Sequence, residues 1–233
     1  MRNLALMWVL ACVAVALLAA GDASAQSVST FTDTRDGKVY KIVKIGSQVW
    51  FAENLNYAAK GSKCYGEDGK VTFYGIYDKN GKIIDATFAL SYAEVQANCT
   101  KYGRLYNWET ALKACPAGWH LPSGNEWTTL VDYVGGSGTA GTKLKSTAGW
   151  YEDGNGTDGY GFSALPGGVG NLDSPFYDAD LSGIWWSTTE YNARNAWYWG
   201  MSYDNENVDK DNFNKTTLSS VRCVLDDEKE SQK

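Results

Sequence analysis

The stretch from residue 102 to residue 127 constrains the fold of this chain more than any other, and it reads YGRLYNWETALKACPAGWHLPSGNEW. Asn107 can cap a helix, because its side chain can accept a hydrogen bond from a free N–H of the first turn. Pro116 must end that helix, since proline cannot continue one. Ser123 and Glu126 have the spacing of a capping box, which starts a second helix. The sequence therefore predicts two short helices joined by a connector that contains a cysteine.

Short apolar or alternating segments, separated by turn residues, predict strands in the rest of the chain. Residues 38–52 read as one hairpin, and residues 74–84 as another around the Asn80-Gly81 turn. Three later strands are predicted at 185–188, 196–203 and 220–225. Helices and strands separated by long Gly-, Asn- and Asp-rich loops favour an α+β fold.

The N-terminus has the pattern of an export signal, with Arg2, an apolar run and a small-residue cleavage site before Gln26. An uncleaved membrane anchor is the alternative. Cys12 weakly resembles a lipoprotein site, which we discount because the apolar run continues past it. We expect a signal peptide at residues 1–25, a loose lead-in at 26–32, a single domain at 33–226 and a disordered tail at 227–233.

The charge of the chain excludes some classes of partner. The signal carries Arg2 and Asp22, so its removal leaves the formal net charge at −6. Because no basic patch is present in the sequence, nucleic acid is not expected as a partner. No membrane association is expected after signal cleavage. The sequence thus predicts an acidic protein that is secreted, periplasmic or exposed at the cell surface.

Four cysteines remain after the signal, and they are Cys64, Cys99, Cys115 and Cys223. An even number in an exported protein predicts two disulfides, because the compartment is oxidising. The count allows three pairings, and four reduced, buried thiols are the alternative.

Five short motifs follow one another along the chain: YGRLYNW at 102–108, CPAGWHLP at 115–122, GFSALPGG at 161–168, WWSTTE at 185–190 and SVRCV at 220–224. In this order they resemble the Fibrobacter succinogenes major paralogous domain, over roughly residues 30–226. The name of this family carries no activity.

Residues 121–127 also resemble the corresponding segment of formylglycine-generating enzymes and other C-type-lectin-like folds. The resemblance implies two short helices and a twisted antiparallel sheet with long loops. A C-type lectin links a cysteine of an early helix to the last strand, which implies Cys115–Cys223 here and leaves Cys64–Cys99. The chain lacks the Glu-Pro-Asn and Trp-Asn-Asp calcium motifs of sugar-binding lectins and the spare cysteine pair of the enzymes. Neither activity is therefore transferred.

Three groups of residues have a simpler structural explanation. His120 has no marked nucleophile or acid partner, so we interpret it as a structural residue of the connector. Residues 152–158 supply oxygen donors, but their spacing does not fit an EF-hand, and an ordinary loop is expected. Neither calcium nor any other metal or cofactor is predicted. Trp185 and Trp186 could stack on a sugar, but alternation puts them on opposite faces and favours burial of both.

The apolar residues on or beside the short elements predict the core. We expect burial of Trp119, Trp127, Trp150, one of Trp185 and Trp186, Phe162 and Leu165.

The composition changes abruptly at residues 191–214, where Asn, Asp and Tyr dominate. Large amphipathic rings combined with adaptable hydrogen-bonding groups are typical of antibody paratopes. Alternation predicts Trp197 and Trp199 on one side of a strand and Tyr198 toward the other. The candidate ligand-binding residues are Tyr191, Asn195, Trp197, Tyr198, Tyr203, Asn205 and Asn207. A polar, solvated hairpin that binds nothing is the alternative.

These features favour an exported, non-enzymatic binding module that recognises a glycan or a protein through this region. No catalytic residues are predicted. Two alternatives stay open: a carbohydrate-active or formylglycine-enzyme-like catalyst, and a structural component of the cell surface or a fimbria. Paired carboxylates for glycoside hydrolysis need a spatial separation that a sequence does not reveal.

Overall fold

The structure is a computed structural model that describes residues 29–77, 80, 82–171 and 174–226. The predicted signal at 1–25 and the predicted tail at 227–233 lie outside these residues. Within the described ranges, no helix is long and apolar enough to cross a membrane. The mixture of helices and strands agrees with the predicted α+β class.

Four helices and fourteen strands occur in the described part of the chain. The helices are α1 (Tyr92–Tyr102), α2 (Trp108–Ala111), α3 (Gly124–Tyr133) and α4 (Ala140–Leu144). The strands are β1 (Ser29–Thr32), β2 (Val39–Ile45), β3 (Gln48–Phe51), β4 (Lys70–Tyr77), β5 (Ile83–Ala89), β6 (Leu105–Tyr106), β7 (Trp119–His120), β8 (Gly167–Asn171), β9 (Ser174–Ala179), β10 (Ser182–Glu190), β11 (Asn195–Ser202), β12 (Asp209–Asn214), β13 (Thr217–Ser220) and β14 (Val224–Leu225).

Both helices of the 102–127 stretch are present and have the predicted caps. Asn107 Oδ1 accepts a hydrogen bond from the N–H of Thr110 at 2.9 Å and starts α2. At α3 the Ser123 hydroxyl accepts from the Glu126 N–H at 3.3 Å, and the Glu126 carboxylate accepts from the Ser123 N–H at 2.7 Å. The prediction of two helices was incomplete, because α1 and α4 are also present. The capping box of Ser91 and Glu94 was the sequence signal for α1.

The smaller sheet joins the two ends of the described chain. Its five strands pair antiparallel in the order β1-β2-β3-β14-β7, and β2–β3 is the first predicted hairpin. Residues 29–32 were expected to be loose, and this was wrong, because they form β1. Phe31 holds this strand in place by packing against Phe51 and Trp119, with ring centroids 5.8 and 5.2 Å away.

The larger sheet has nine strands in the order β12-β11-β10-β13-β8-β9-β4-β5, with β6 paired to β13. The second predicted hairpin is present as β4–β5, although residues 78, 79 and 81 of its turn lie outside the described residues. The expectation of an antiparallel sheet was wrong for two pairs, β10–β13 and β4–β9, which are parallel. Both pairs join strands that are distant in sequence, and local hydrophobic patterns do not encode such pairings.

The strand predicted at residues 220–225 is two strands, β13 and β14, in two different sheets. Between them the chain crosses from the larger to the smaller sheet. The carbonyls of Val221 and Cys223 accept hydrogen bonds from the N–H groups of Leu55 and Phe51, both at 2.9 Å. These hydrogen bonds satisfy the backbone of the crossing segment outside either sheet. The apolar run in the sequence is therefore continuous, although the strand is interrupted.

Two buried clusters lie on opposite sides of β10 and β11. Trp185 belongs to the cluster that includes α3, and Trp186 belongs to the cluster that includes α2. Both indoles are completely buried, so neither is a surface for sugar stacking. Burial is confirmed for Trp119, Trp127, Trp150 and Phe162. Leu165 is only half-buried, and its predicted burial was wrong because it lines the opening of a surface cavity.

Both disulfides implied by the family resemblance are present. Cys64 is bonded to Cys99, 35 residues later, and this bridge ties the loop before β4 to α1. Cys115 is bonded to Cys223, 108 residues later, and ties the connector after α2 to the segment before β14. The alternative of four reduced thiols is therefore wrong.

Candidate functional site

The predicted binding region is formed by β10, β11 and β12 at one edge of the larger sheet. The turn that leads into β11 is shaped by Asn192, whose side-chain oxygen accepts from the N–H groups of Arg194 at 2.8 Å and Asn195 at 2.9 Å. The N–H of Tyr191 donates to the carbonyl of Asn195 at 3.0 Å. This closed turn holds Tyr191 beside β11.

The structure brings three of the seven candidate residues together. Asn195 and Trp197 lie on the α3 side of β11, and the ring of Tyr191 meets the Trp197 ring edge-on at 4.9 Å. Tyr198 lies on the opposite side, where its ring centroid is 4.3 Å from that of Phe213. The predicted alternation of β11 is thereby confirmed, and it separates Tyr198 from the other two strand residues.

The remaining candidates, Tyr203, Asn205 and Asn207, lie in the loop after β11 and form a separate patch near α4. Lys145 fixes this loop, because its Nζ donates to the carbonyls of Ser202 at 3.0 Å and Asn205 at 2.9 Å. Burial lowers the pKa of Lys145. The Asn205 side chain accepts from the Asn207 N–H at 2.9 Å, so its oxygen serves the loop itself. All seven candidates are partly or fully exposed.

We name the group formed by Tyr191, Asn195, Trp197, Lys210 and Asn212 the aromatic face. Lys210 and Asn212 lie on β12 opposite Trp199 and Trp197, so they share the α3 side of the sheet. The Lys210 Nζ is 4.5 Å from the Trp197 ring centroid. Asn195 Nδ2 donates to Asn212 Oδ1 at 2.7 Å. The face therefore combines two rings, one ammonium group and a pair of coupled amides.

The aromatic face rests on a rigid core. Trp199, one step along β11 on the same side, is buried and stacks on Trp127 of α3 with a centroid distance of 5.9 Å and an angle of 8°. A Cβ on Gly124 would lie 3.1 Å from the Trp199 ring, so the small residue lets the start of α3 approach β11. Trp197 is thus a partly buried extension of a buried tryptophan stack, and its position is fixed by the core.

His120 lies between two carboxylates. Its Nε2 is 2.7 Å from Glu126 and its Nδ1 is 2.6 Å from Asp226. Hydrogen bonds to Glu126 and then to Asp226 raise the pKa of His120 to about 9, against the opposing effect of burial. The imidazole is therefore protonated at neutral pH and unsuited to act as a general base. His120 links β7 to α3 through Glu126 and to the end of β14 through Asp226, which is a structural role.

In the loop at residues 152–158, two of the side chains that could ligate a metal instead accept hydrogen bonds from nearby backbone N–H groups. Asn155 Oδ1 accepts from the Trp150 N–H at 3.1 Å, and the Asp158 carboxylate accepts from the N–H of Ser163 at 2.7 Å. In the residues that the structure describes, no group of three or more His, Cys, Asp or Glu side chains is arranged to hold a metal ion.

A buried cation lies at the centre of the molecule, and sequence reasoning did not identify it. Arg222 is completely buried between the two sheets. Its guanidinium donates to Asn54 Oδ1 at 3.0 and 3.2 Å and to the carbonyls of Phe51, Phe162 and Ser163. Burial lowers the pKa of Arg222 to about 9, so it stays charged at neutral pH. All these acceptors are neutral, which makes the site structural in character.

Two surface concavities contain no residue of the aromatic face. One has a volume of about 180 Å³ and is lined by Lys38, Glu53 and Lys101 among others. The other has a volume of about 590 Å³ and lies between α1 and the start of β4. The lysines of the smaller cavity already pair with Asp36 and Asp180. The smaller cavity therefore offers no unpaired lysine to a ligand.

Sequence reasoning placed Lys210 and Asn212 within the 191–214 region but not among the candidate residues, because residues 209–214 lack the apolar alternation of a recognisable strand. Only the register of β12 against β11 shows that these two side chains face Trp197.

The fold and the site define a class: a disulfide-linked α+β domain with partly exposed aromatic and amide side chains at the edge of its larger sheet. The family model described as the Fibrobacter succinogenes major domain matches residues 43–225. The chain belongs to this family, as its five motifs predicted. No curated protein and no solved structure is similar enough to count as a match.

Proposed function

We propose that this protein is an exported, non-enzymatic binding module that recognises a glycan through the aromatic face. The observation that carries the proposal is the partly buried Trp197, held between Tyr191 at 4.9 Å and Lys210 at 4.5 Å. Such a ring offers apolar area without the entropy cost of ordering a flexible side chain. The coupled Asn195–Asn212 amides beside it can meet hydroxyl groups.

A glycan fits this face better than a protein does. The face is one strand pair wide and carries a single partly buried indole, whereas a stable protein interface buries roughly 800 Å² on each partner. Tyr198 lies on the opposite side of β11 and does not extend this surface, and Tyr203 lies in the loop beyond the end of β11. Protein binding remains an outcome of the test.

Export and a C-type-lectin-like fold are part of the same proposal. Two disulfides are compatible with an oxidising compartment and so support export. The Cys115–Cys223 bridge, from the connector after an early helix to the segment before the last strand, supports the lectin-like fold. So does the smaller sheet, in which β1 to β3 lie beside β14.

The proposal is tested on a glycan array with the oxidised protein, obtained by export of the full chain. We expect retention of at least one glycan class, and a loss of more than tenfold in affinity on Trp197→Ala, because central tryptophans dominate binding. Tyr92→Ala is the matched control, since Tyr92 is 80% exposed on α1 and lies outside the aromatic face.

Binding that Trp197→Ala leaves unchanged would contradict the proposal. Release of sugar fragments from a bound polysaccharide, abolished by a single Asp or Glu substitution, would support the catalytic alternative instead. Binding confined to a protein partner would exclude the glycan.

A further inference from the structure

We infer that the glycan recognised by the aromatic face is acidic, with carboxylate groups on its sugar units. This inference rests on the proposed function and adds the chemical class of the ligand. Lys210, which no sequence pattern marked, is the residue that would distinguish acidic from neutral glycans.

The register of β12 separates its charges by side. Lys210 pairs with Trp199 and therefore lies on the α3 side, whereas Asp209 and Asp211 pair with Gly200 and Tyr198 and belong to the opposite side. Asp211 still reaches the strand edge, where its Oδ1 accepts from the N–H and Nδ2 of Asn212 at 2.7 and 3.1 Å. These hydrogen bonds engage Asp211 with a neutral group, and Asp211 forms no ion pair with Lys210.

Lys210 lacks a carboxylate partner among the described residues. No ion pair within 4.0 Å includes Lys210 there, although the chain carries a formal net charge of −6. Its Nζ lies instead over the rings of Trp197 and Trp199, at 4.5 and 5.1 Å. Cation–π contacts of this kind orient an ammonium without neutralising it. Arg194, exposed in the turn after Tyr191, is likewise without an ion pair in this part of the structure.

An acidic sugar unit matches this arrangement chemically. A carboxylate can pair with the ammonium of Lys210, an interaction stronger than a neutral hydrogen bond. The apolar side of the same sugar ring can contact Trp197, and its hydroxyl groups can reach the amides of Asn195 and Asn212. A neutral glycan would use the ring and the amides but would leave the ammonium unmatched.

The test compares one polymer in two charge states. Homogalacturonan as the free acid and as the full methyl ester differ only at the carboxyl group, which is an anionic carboxylate in the former and a neutral methyl ester in the latter. Binding of the full, oxidised protein to each is measured by affinity electrophoresis and titration calorimetry, with EDTA present so that calcium bridging does not contribute. Lys210→Gln is the variant. Lys60→Gln is the control, because it removes the same charge from an exposed residue in the loop before Cys64.

We expect the free acid to bind at least tenfold more tightly than the ester, and Lys210→Gln to reduce that preference at least fivefold. Lys60→Gln should leave it unchanged, and added salt should weaken the free acid selectively. Equal binding of acid and ester, both lost on Trp197→Ala, would overturn the acidic-ligand inference while leaving the proposed function intact. An unchanged preference in Lys210→Gln would also overturn it, and would assign Lys210 to edge protection of β12. Failure of both polymers to bind overturns the inference, and the glycan array then decides the proposed function separately.

Discussion

Replacing Asn54 by alanine should destabilise the protein strongly, because Asn54 is the side-chain acceptor for a buried cation. Its Oδ1 accepts from Arg222 Nη2 at 3.0 Å, from Arg222 Nε at 3.2 Å and from Trp185 Nε1 at 2.8 Å. Its Nδ2 donates to the carbonyl of Tyr102 at 2.9 Å. Alanine removes both functional atoms and leaves the completely buried Arg222 and Trp185 without this acceptor.

The magnitude follows from the partners that are lost. Hydrogen bonds to a charged group contribute about 1.5–3 kcal/mol, and neutral ones about 1 kcal/mol each. Loss of the shared acceptor of Arg222, together with the neutral bonds to Trp185 and Tyr102, therefore costs about 3.5–5 kcal/mol. Because a domain of this size loses about 2–4 °C for each kcal/mol, the midpoint of thermal unfolding should fall by about 7–20 °C.

Asn56 offers a matched control two residues further on. It is half-buried, and its Nδ2 donates to the carbonyl of Cys99 at 3.0 Å, so Asn56→Ala should cost about 1 kcal/mol. Thermal and urea unfolding of the oxidised variants, followed by circular dichroism, measure both changes. Equal losses for the two alanine variants would refute the reasoning. So would an undiminished cost of Asn54→Ala in an Arg222→Met background, because the two residues should be coupled in a double-mutant cycle.

Three further predictions concern the charge of His120, the packing of Trp127 and the two disulfides. The folded pKa of His120 is raised from 6.5 to about 9, so its stabilising contribution is complete below about pH 6.5 and is lost as the pH rises through 9. The stability difference between wild type and His120→Gln, from urea unfolding, should shrink across this window; a constant difference would contradict protonation. Trp127→Ala should cost about 3–5 kcal/mol, because the indole contacts four other aromatic rings, and an unchanged melting temperature would count against it. Replacing Cys115 and Cys223 by serine should cost about 5 kcal/mol in the chain-entropy model, about 1 kcal/mol more than the same change at the shorter bridge. Chemical denaturation of both double variants tests the order.

Local structure could be predicted from the sequence wherever the interactions that cause it involve residues close together in the chain. The caps at Asn107 and Ser123, the β2–β3 hairpin and the alternation of Trp185 and Trp186 depend on neighbours in the chain, and all are confirmed. The family followed from the order of five motifs. The pairing of both disulfides followed from the resemblance to C-type lectins. The composition of residues 191–214 marked a candidate binding region, although it did not show which of its side chains share a side of the sheet.

Only the tertiary structure decided the rest, because the causes are contacts between distant segments. Residues 220–225 read as one apolar strand, yet pairing of the crossing backbone with Leu55 and Phe51 divides it between two sheets. In the sequence Arg222 looks like an ordinary strand residue. In the structure it is buried, and neutral carbonyls and Asn54 surround its guanidinium. Likewise, a charged segment becomes part of the aromatic face only through the register of β12, which places Lys210 above Trp197 and turns Tyr198 away. The sequence specified the residue types at the sheet edge, and strand pairing determined which of them lie on the same side.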